Sequence, residues 1–176
     1  MHKKRLLRPT DYELEKKQME DSIKWVKDSL EDFFKKNSEL IEKNLKEECI
    51  NHQFACSLER HLPQAFSGYS VDVEYDKRGS DNKKMIEDKT NKEVCIRPDI
   101  IVHSRGNDVN VLAIECKKTY LVKKDKEKLK KLSNQPYSYR TVLGIGYGQG
   151  KENYLLYIYD PDLSVFKLEN VKKPVG

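Results

Sequence analysis

The chain has 176 residues, enough for one domain with its own core plus an appendage. Charged residues make up 36% and mean hydropathy is −0.83, and no apolar run approaches the length of a membrane span, which argues against a membrane partner. The net charge of +5 is uneven, concentrated at Met1–Arg5 and in the lysine-rich run from Lys117 to Lys131, a distribution that suits a polyanionic partner or simply a solvated surface.

In chain order, Leu14, Ile23, Val26, Leu30 and Phe33-Phe34 recur at helical spacing and predict a helix over 11–37. A second helix is expected over 38–62, capped by Ser38 and ended by Pro63, with Ile41, Leu45, Cys49, His52, Ala55, Leu58 and Leu62 on one face. A strand over 71–75 follows, then a polar segment, 76–93, with the composition of a loop. Further strands are expected over 94–102 and 109–117, a short exposed helix over 123–132, and strands over 141–147 and 154–159. The reading divides the chain into a basic, helical N-terminal extension (1–37) and an α/β domain (38–176).

Asp99 stands at the head of Ile100-Ile101-Val102, and Glu115-Cys116-Lys117 closes Val111-Leu112-Ala113-Ile114. Strand residues i and i+2 share a face, so Glu115 and Lys117 project together, and a hairpin brings Asp99 beside them. Two carboxylates and an ammonium in a core need a balancing partner. A hard divalent cation between the carboxylates supplies it, leaving Lys117 to orient water or to stabilise charge on a phosphate. By the same parity, Lys118 faces away.

Pro98-Asp99 with Glu115-Cys116-Lys117 resembles the PD-(D/E)xK nuclease superfamily, over roughly 38–160. The stretches Val71–Tyr75, Arg97–His103 and Ile114–Lys118 are similar to a less-characterised prokaryotic group within it. The resemblance implies a restriction-endonuclease-like core, a mixed sheet flanked by helices, to which the N-terminal helix is an addition. It implies a Mg²⁺- or Mn²⁺-dependent nuclease, with DNA the favoured substrate, in which Asp99 and Glu115 hold the metal and Lys117 positions water. Many members add a glutamate from the helix before the sheet. Glu48 is the favoured candidate and Glu59 the other; Glu74 is a candidate further ligand, and His52, one turn after Glu48, a candidate neighbour of the site. Gln135 and Tyr139 have the spacing of a motif in RecB-like nucleases, but Pro136 interrupts the helix it would need. Lys118, Tyr139 and Arg140 are the candidate nucleic-acid contacts.

Two other readings share these residues: a nuclease-fold module with little or no catalysis that binds a protein or nucleic-acid partner, and an RNA endonuclease. The N-terminal helix could form a homodimer, dock a partner protein or cover a sheet face, with dimerisation preferred. Cys49, Cys56, Cys95 and Cys116 lack CxxC spacing and lie in apolar contexts. With no signal-peptide core after the basic start, they read as buried thiols of a reducing, cytoplasmic protein.

Overall fold

The computed structural model describes residues 9–75, 77–78, 81–82, 84–86, 93–105 and 109–174. The first helix, α1 (Pro9–Glu42), runs through the expected boundary at Ser38 with a kink at Asn37, where the backbone leaves helical values. The chain breaks instead at 43–46, where Asn44 takes a left-handed conformation (φ 54°), and α2 (Glu47–Arg60) starts afresh. That break resets the helical phase. Ile50, Phe54, Ala55 and Leu58 are buried, whereas Leu45, Cys49 and His52, expected on the apolar face, are exposed.

A short 3-10 turn (Gln64–Phe66) leads to β1 (Ser70–Val73), then to β2 (Lys77–Arg78), β3 (Asp81–Asn82), β4 (Lys84–Ile86) and β5 (Glu93–Cys95). After these come β6 (Ile100–His103), β7 (Asn110–Lys117), α3 (Lys123–Ser133), β8 (Thr141–Gly146), β9 (Asn153–Asp160) and β10 (Val165–Lys172). Six strands form one mixed sheet in the order β1-β6-β7-β8-β9-β10. The β7–β8 pair is parallel, with α3 in the crossover, and its neighbours are antiparallel. The protein is therefore α/β, a mixed six-stranded sheet flanked by helices.

Strand alternation assigns the two faces. Leu112, Ile114 and Cys116 of β7 join Leu143, Ile145, Leu156 and the apolar stripes of α1 and α2 in the larger core. Trp25, Leu30, Phe33 and Phe34 of α1 belong to that core, so α1 covers a sheet face. Ala113 of β7 faces the other way, with Ile101, Val142, Leu129 and Leu132, beneath α3. Asp99, Glu115 and Lys117 share the parity of Ala113.

Several expectations change. The strand predicted over 94–102 is two strands, because Arg97-Pro98 interrupts it: proline has no N–H to give a ladder. The described parts of 76–93 include short antiparallel pieces, with β4 pairing β5; the rest of that segment, and most of the turn expected at 105–108, lie outside the described residues. The last strand, β10, is an addition. Leu14 is exposed. All four cysteines are free thiols, but Cys49 and Cys95 are exposed and Cys56 is half-buried; only Cys116 is buried as expected. No described helix is long and apolar enough to cross a membrane.

Candidate active site

Pairing of Ile100 with Ile114 brings Asp99, immediately before β6, level with Glu115. The Asp99 Oδ2 accepts a hydrogen bond from the Cys116 N–H at 2.7 Å, which locks the carboxylate onto β7. The Asp99 carbonyl accepts the Glu74 N–H at 2.8 Å, so the turn after β1 is fastened to the same point. Glu74 itself is in the left-handed region (φ 50°), and its side chain lies 3.4 Å from Arg97.

Lys117 stands among three carboxylates. Its Nζ is 3.3 Å from Glu115 Oε1, 3.1 Å from Glu47 Oε1 and 4.0 Å from Asp99 Oδ2. Glu47, in the first turn of α2, also accepts the Lys118 backbone N–H at 3.1 Å, tying the end of β7 to the helix start. The acidic first turn of α2 also suits the positive end of its helix dipole. From the opposite side, α3 supplies Lys128, whose ammonium contacts Glu115 Oε2. Asp125 anchors that helix by accepting the Val122 N–H at 2.9 Å.

Burial decides the electrostatics. The Glu115 and Asp99 side chains are only 4% and 16% exposed. Burial raises the Asp99 pKa, against the Cys116 hydrogen bond and the lysines that favour its charge. Burial, and then the Asp99 charge, raise that of Glu115. For Lys117, burial works against the charged form, but Glu115, Asp99 and Glu47 outweigh it and hold the pKa above its usual value. The ammonium is firmly charged, so it acts as a fixed cation and hydrogen-bond donor.

Asp99, Glu115 and Lys128 open onto a cleft of about 570 Å³ whose walls also include Glu74, Arg97 and Lys124. Among the described residues, no three His, Cys, Asp or Glu side chains form a ready-made metal cluster. Two carboxylates are nonetheless a fitting set for Mg²⁺, which keeps several waters and binds through one or two carboxylates plus substrate oxygens. Glu115 Oε2 is a buried hard-oxygen donor beside Asp99, balanced in this structure by the Lys128 ammonium.

The structure thus gathers Asp99, Glu115 and Lys117 and places Glu74 on the same cleft. The helix glutamate that reaches Lys117 is Glu47, whereas the favoured Glu48 is exposed. Glu47, Asn51, Phe54 and Leu58 follow the i, i+4, i+7, i+11 spacing of the buried stripe, a signal present in the sequence but obscured by the misplaced helix start. Glu59 and His52 are exposed elsewhere on α2; His52 lies 3.9 Å from Cys56. Among the nucleic-acid candidates, Tyr139 is 2% exposed and its ring belongs to the core beneath α3, which removes it from the surface. Arg140 donates to Gln18 at 2.9 Å, and Lys118 to the Asn44 side chain at 2.7 Å. Gln135 follows the end of α3 and lies outside any helix. Lys128 was not anticipated: in a lysine-rich helix, sequence alone does not distinguish the one that turns inward.

No family model matches the chain, and neither a curated protein nor a solved structure matches it.

Proposed function

We propose that the protein is a divalent-metal-dependent nuclease of the PD-(D/E)xK type, with a restriction-endonuclease-like core and DNA as the favoured substrate. The observation that carries this reading is Lys117, an ammonium within 3.3 Å of Glu115 and 4.0 Å of Asp99, two carboxylates that line a cleft. Asp99 and Glu115 would hold the Mg²⁺ or Mn²⁺. When bound, that ion supplies Lewis-acid polarisation of the scissile phosphate and of water.

This chain's own residues supply positioning. The Cys116 N–H fixes the Asp99 carboxylate, and Glu47 fixes Lys117 from the far side. Lys117 orients a water for in-line attack and stabilises charge developing on the phosphate oxygens, and such positioning and electrostatics are most of what phosphodiester hydrolysis asks of a protein. Arg97 and Lys124 on the cleft walls suit a phosphate backbone.

The test is a panel of single-stranded, double-stranded and branched DNA and of RNA, incubated with Mg²⁺ or Mn²⁺. Metal-dependent cleavage by the wild type, lost in Asp99→Ala and Lys117→Ala variants that remain folded, is the expected result. Activity that survives both substitutions would overturn it.

A further inference from the structure

Lys128 comes from the crossover helix, points inward with 19% of its side chain exposed, and meets the oxygen of Glu115 that Lys117 does not serve. The contact on that oxygen, Oε2, is a close charge-assisted pairing. Among the described residues Lys128 pairs with this one carboxylate, whereas Lys117 is shared by Glu115, Glu47 and Asp99, so Lys128 is the easier of the two to displace. A small divalent ion carries twice its charge and takes carboxylate oxygens directly, so it is the stronger competitor for Oε2. The ammonium would then be repelled, and its flexible stem leaves it free to relocate. The cleft beside it, with Arg97 and Lys124 on its walls, is where a phosphodiester would lie under the nuclease reading.

Resting on that reading, we infer that Lys128 is a displaceable counter-ion: it neutralises Glu115 until a divalent cation takes its place, and then turns to a backbone phosphate of the substrate. The site thereby couples metal entry to the arming of a phosphate contact. Lys117 differs from it, being held by Glu47 as well as Glu115 and remaining in place.

The experiment titrates Mn²⁺ into EDTA-treated, desalted protein and reads free Mn²⁺ by electron paramagnetic resonance. Wild type, Lys128→Met and Asp99→Asn are compared. A second arm measures binding of a fluorescent duplex by anisotropy in Ca²⁺. Removing the competing ammonium is expected to tighten Mn²⁺ binding about tenfold, a modest coupling between two sites. It is also expected to weaken duplex binding about fivefold, the low end of that same range. Lys128→Gln, which keeps a polar head, replaces the Met variant if circular dichroism shows the latter unfolded.

Mn²⁺ binding that Asp99→Asn abolishes but that is equal or weaker in Lys128→Met would sink the counter-ion role and leave the nuclease reading standing. Unchanged duplex affinity would sink the phosphate contact. No Mn²⁺ binding by wild type, or binding indifferent to Asp99→Asn, would overturn the metal site and this inference with it.

Discussion

Replacing Asp99 with Asn should stabilise the metal-free protein. Three carboxylates, Asp99, Glu115 and Glu47, surround two ammonium groups, Lys117 and Lys128, which leaves one negative charge in excess in a largely buried cluster. Neutralising Asp99 removes its attraction to Lys117 at 4.0 Å, about 4 kcal/mol at an effective dielectric constant of about 20. Against this stand the burial of a carboxylate, a cost of several kcal/mol, and repulsion from the other two carboxylates. The raised Asp99 pKa states which side wins: the charged form is disfavoured in the fold. Asn still offers an oxygen to the Cys116 N–H. The net of these opposed effects should be a gain of about 1 kcal/mol, or about 2–4 °C in Tm for a chain of this size. A carboxylate with a raised folded-state pKa costs stability above that value, and the cost fades as pH falls toward its unfolded value near about 4. The Tm advantage of the variant should therefore be largest near neutrality and shrink on acidification. Thermal melts in EDTA at several pH values decide the matter. A variant that melts at or below wild type at neutral pH, or an advantage independent of pH, refutes the reasoning.

Glu47→Ala should lower cleavage by about tenfold or more through loss of Lys117 positioning, whereas Glu48→Ala should stay close to wild type in the same assay. Asp32, which accepts hydrogen bonds from Ser57 and Arg60 of α2 at 2.8 and 2.9 Å, joins the first two helices, so Asp32→Ala should cost about 2 kcal/mol by urea denaturation. Those bonds and Lys36 outweigh burial and hold the Asp32 pKa well below the carboxylate range, so its contribution is present above about pH 4 and fades below it; the variant should lose that part of the acid sensitivity. Tyr147→Phe removes the 3.0 Å hydrogen bond to the buried Asn51 and should lower stability by about 1–2 kcal/mol in thermal melts. Gly146 pairs with Lys117, and a methyl group there would overlap the Thr119 carbonyl oxygen, so Gly146→Ala should cost about 2–3 kcal/mol and disturb the Lys117 end of β7 in the cleavage assay.

What the sequence conveyed well is what short-range periodicity encodes. The runs around Ile100 and Val111 are buried strands, and the parity of Glu115 and Lys117 follows from the pleat, so their meeting with Asp99 was legible before any coordinates. The helix start was harder. Asn44 ends α1 through a left-handed backbone, while Ser38 looks like a cap but lies inside the helix, and that displacement turned attention from Glu47 to Glu48. The strand β10 escaped because an edge strand is half solvated: Val165, Lys167, Leu168 and Glu169 mix types without clean alternation. Cys95 lies between Val94 and Ile96 and Cys49 precedes Ile50, yet the two sit on a narrow ribbon and on the outside of α2, where adjacency in sequence says little about burial. Lys128 became visible only through packing, since nothing local distinguishes it from the lysines around it.

The central claim is that Asp99, Glu115 and Lys117 act together on a phosphodiester. Single-turnover cleavage of the preferred substrate at saturating Mg²⁺, in wild type and Lys117→Met, tests it most directly. The account predicts that the variant binds substrate with nearly wild-type affinity but cleaves it at least about a hundredfold more slowly. Cleavage at the wild-type rate by a folded Lys117→Met protein would contradict it.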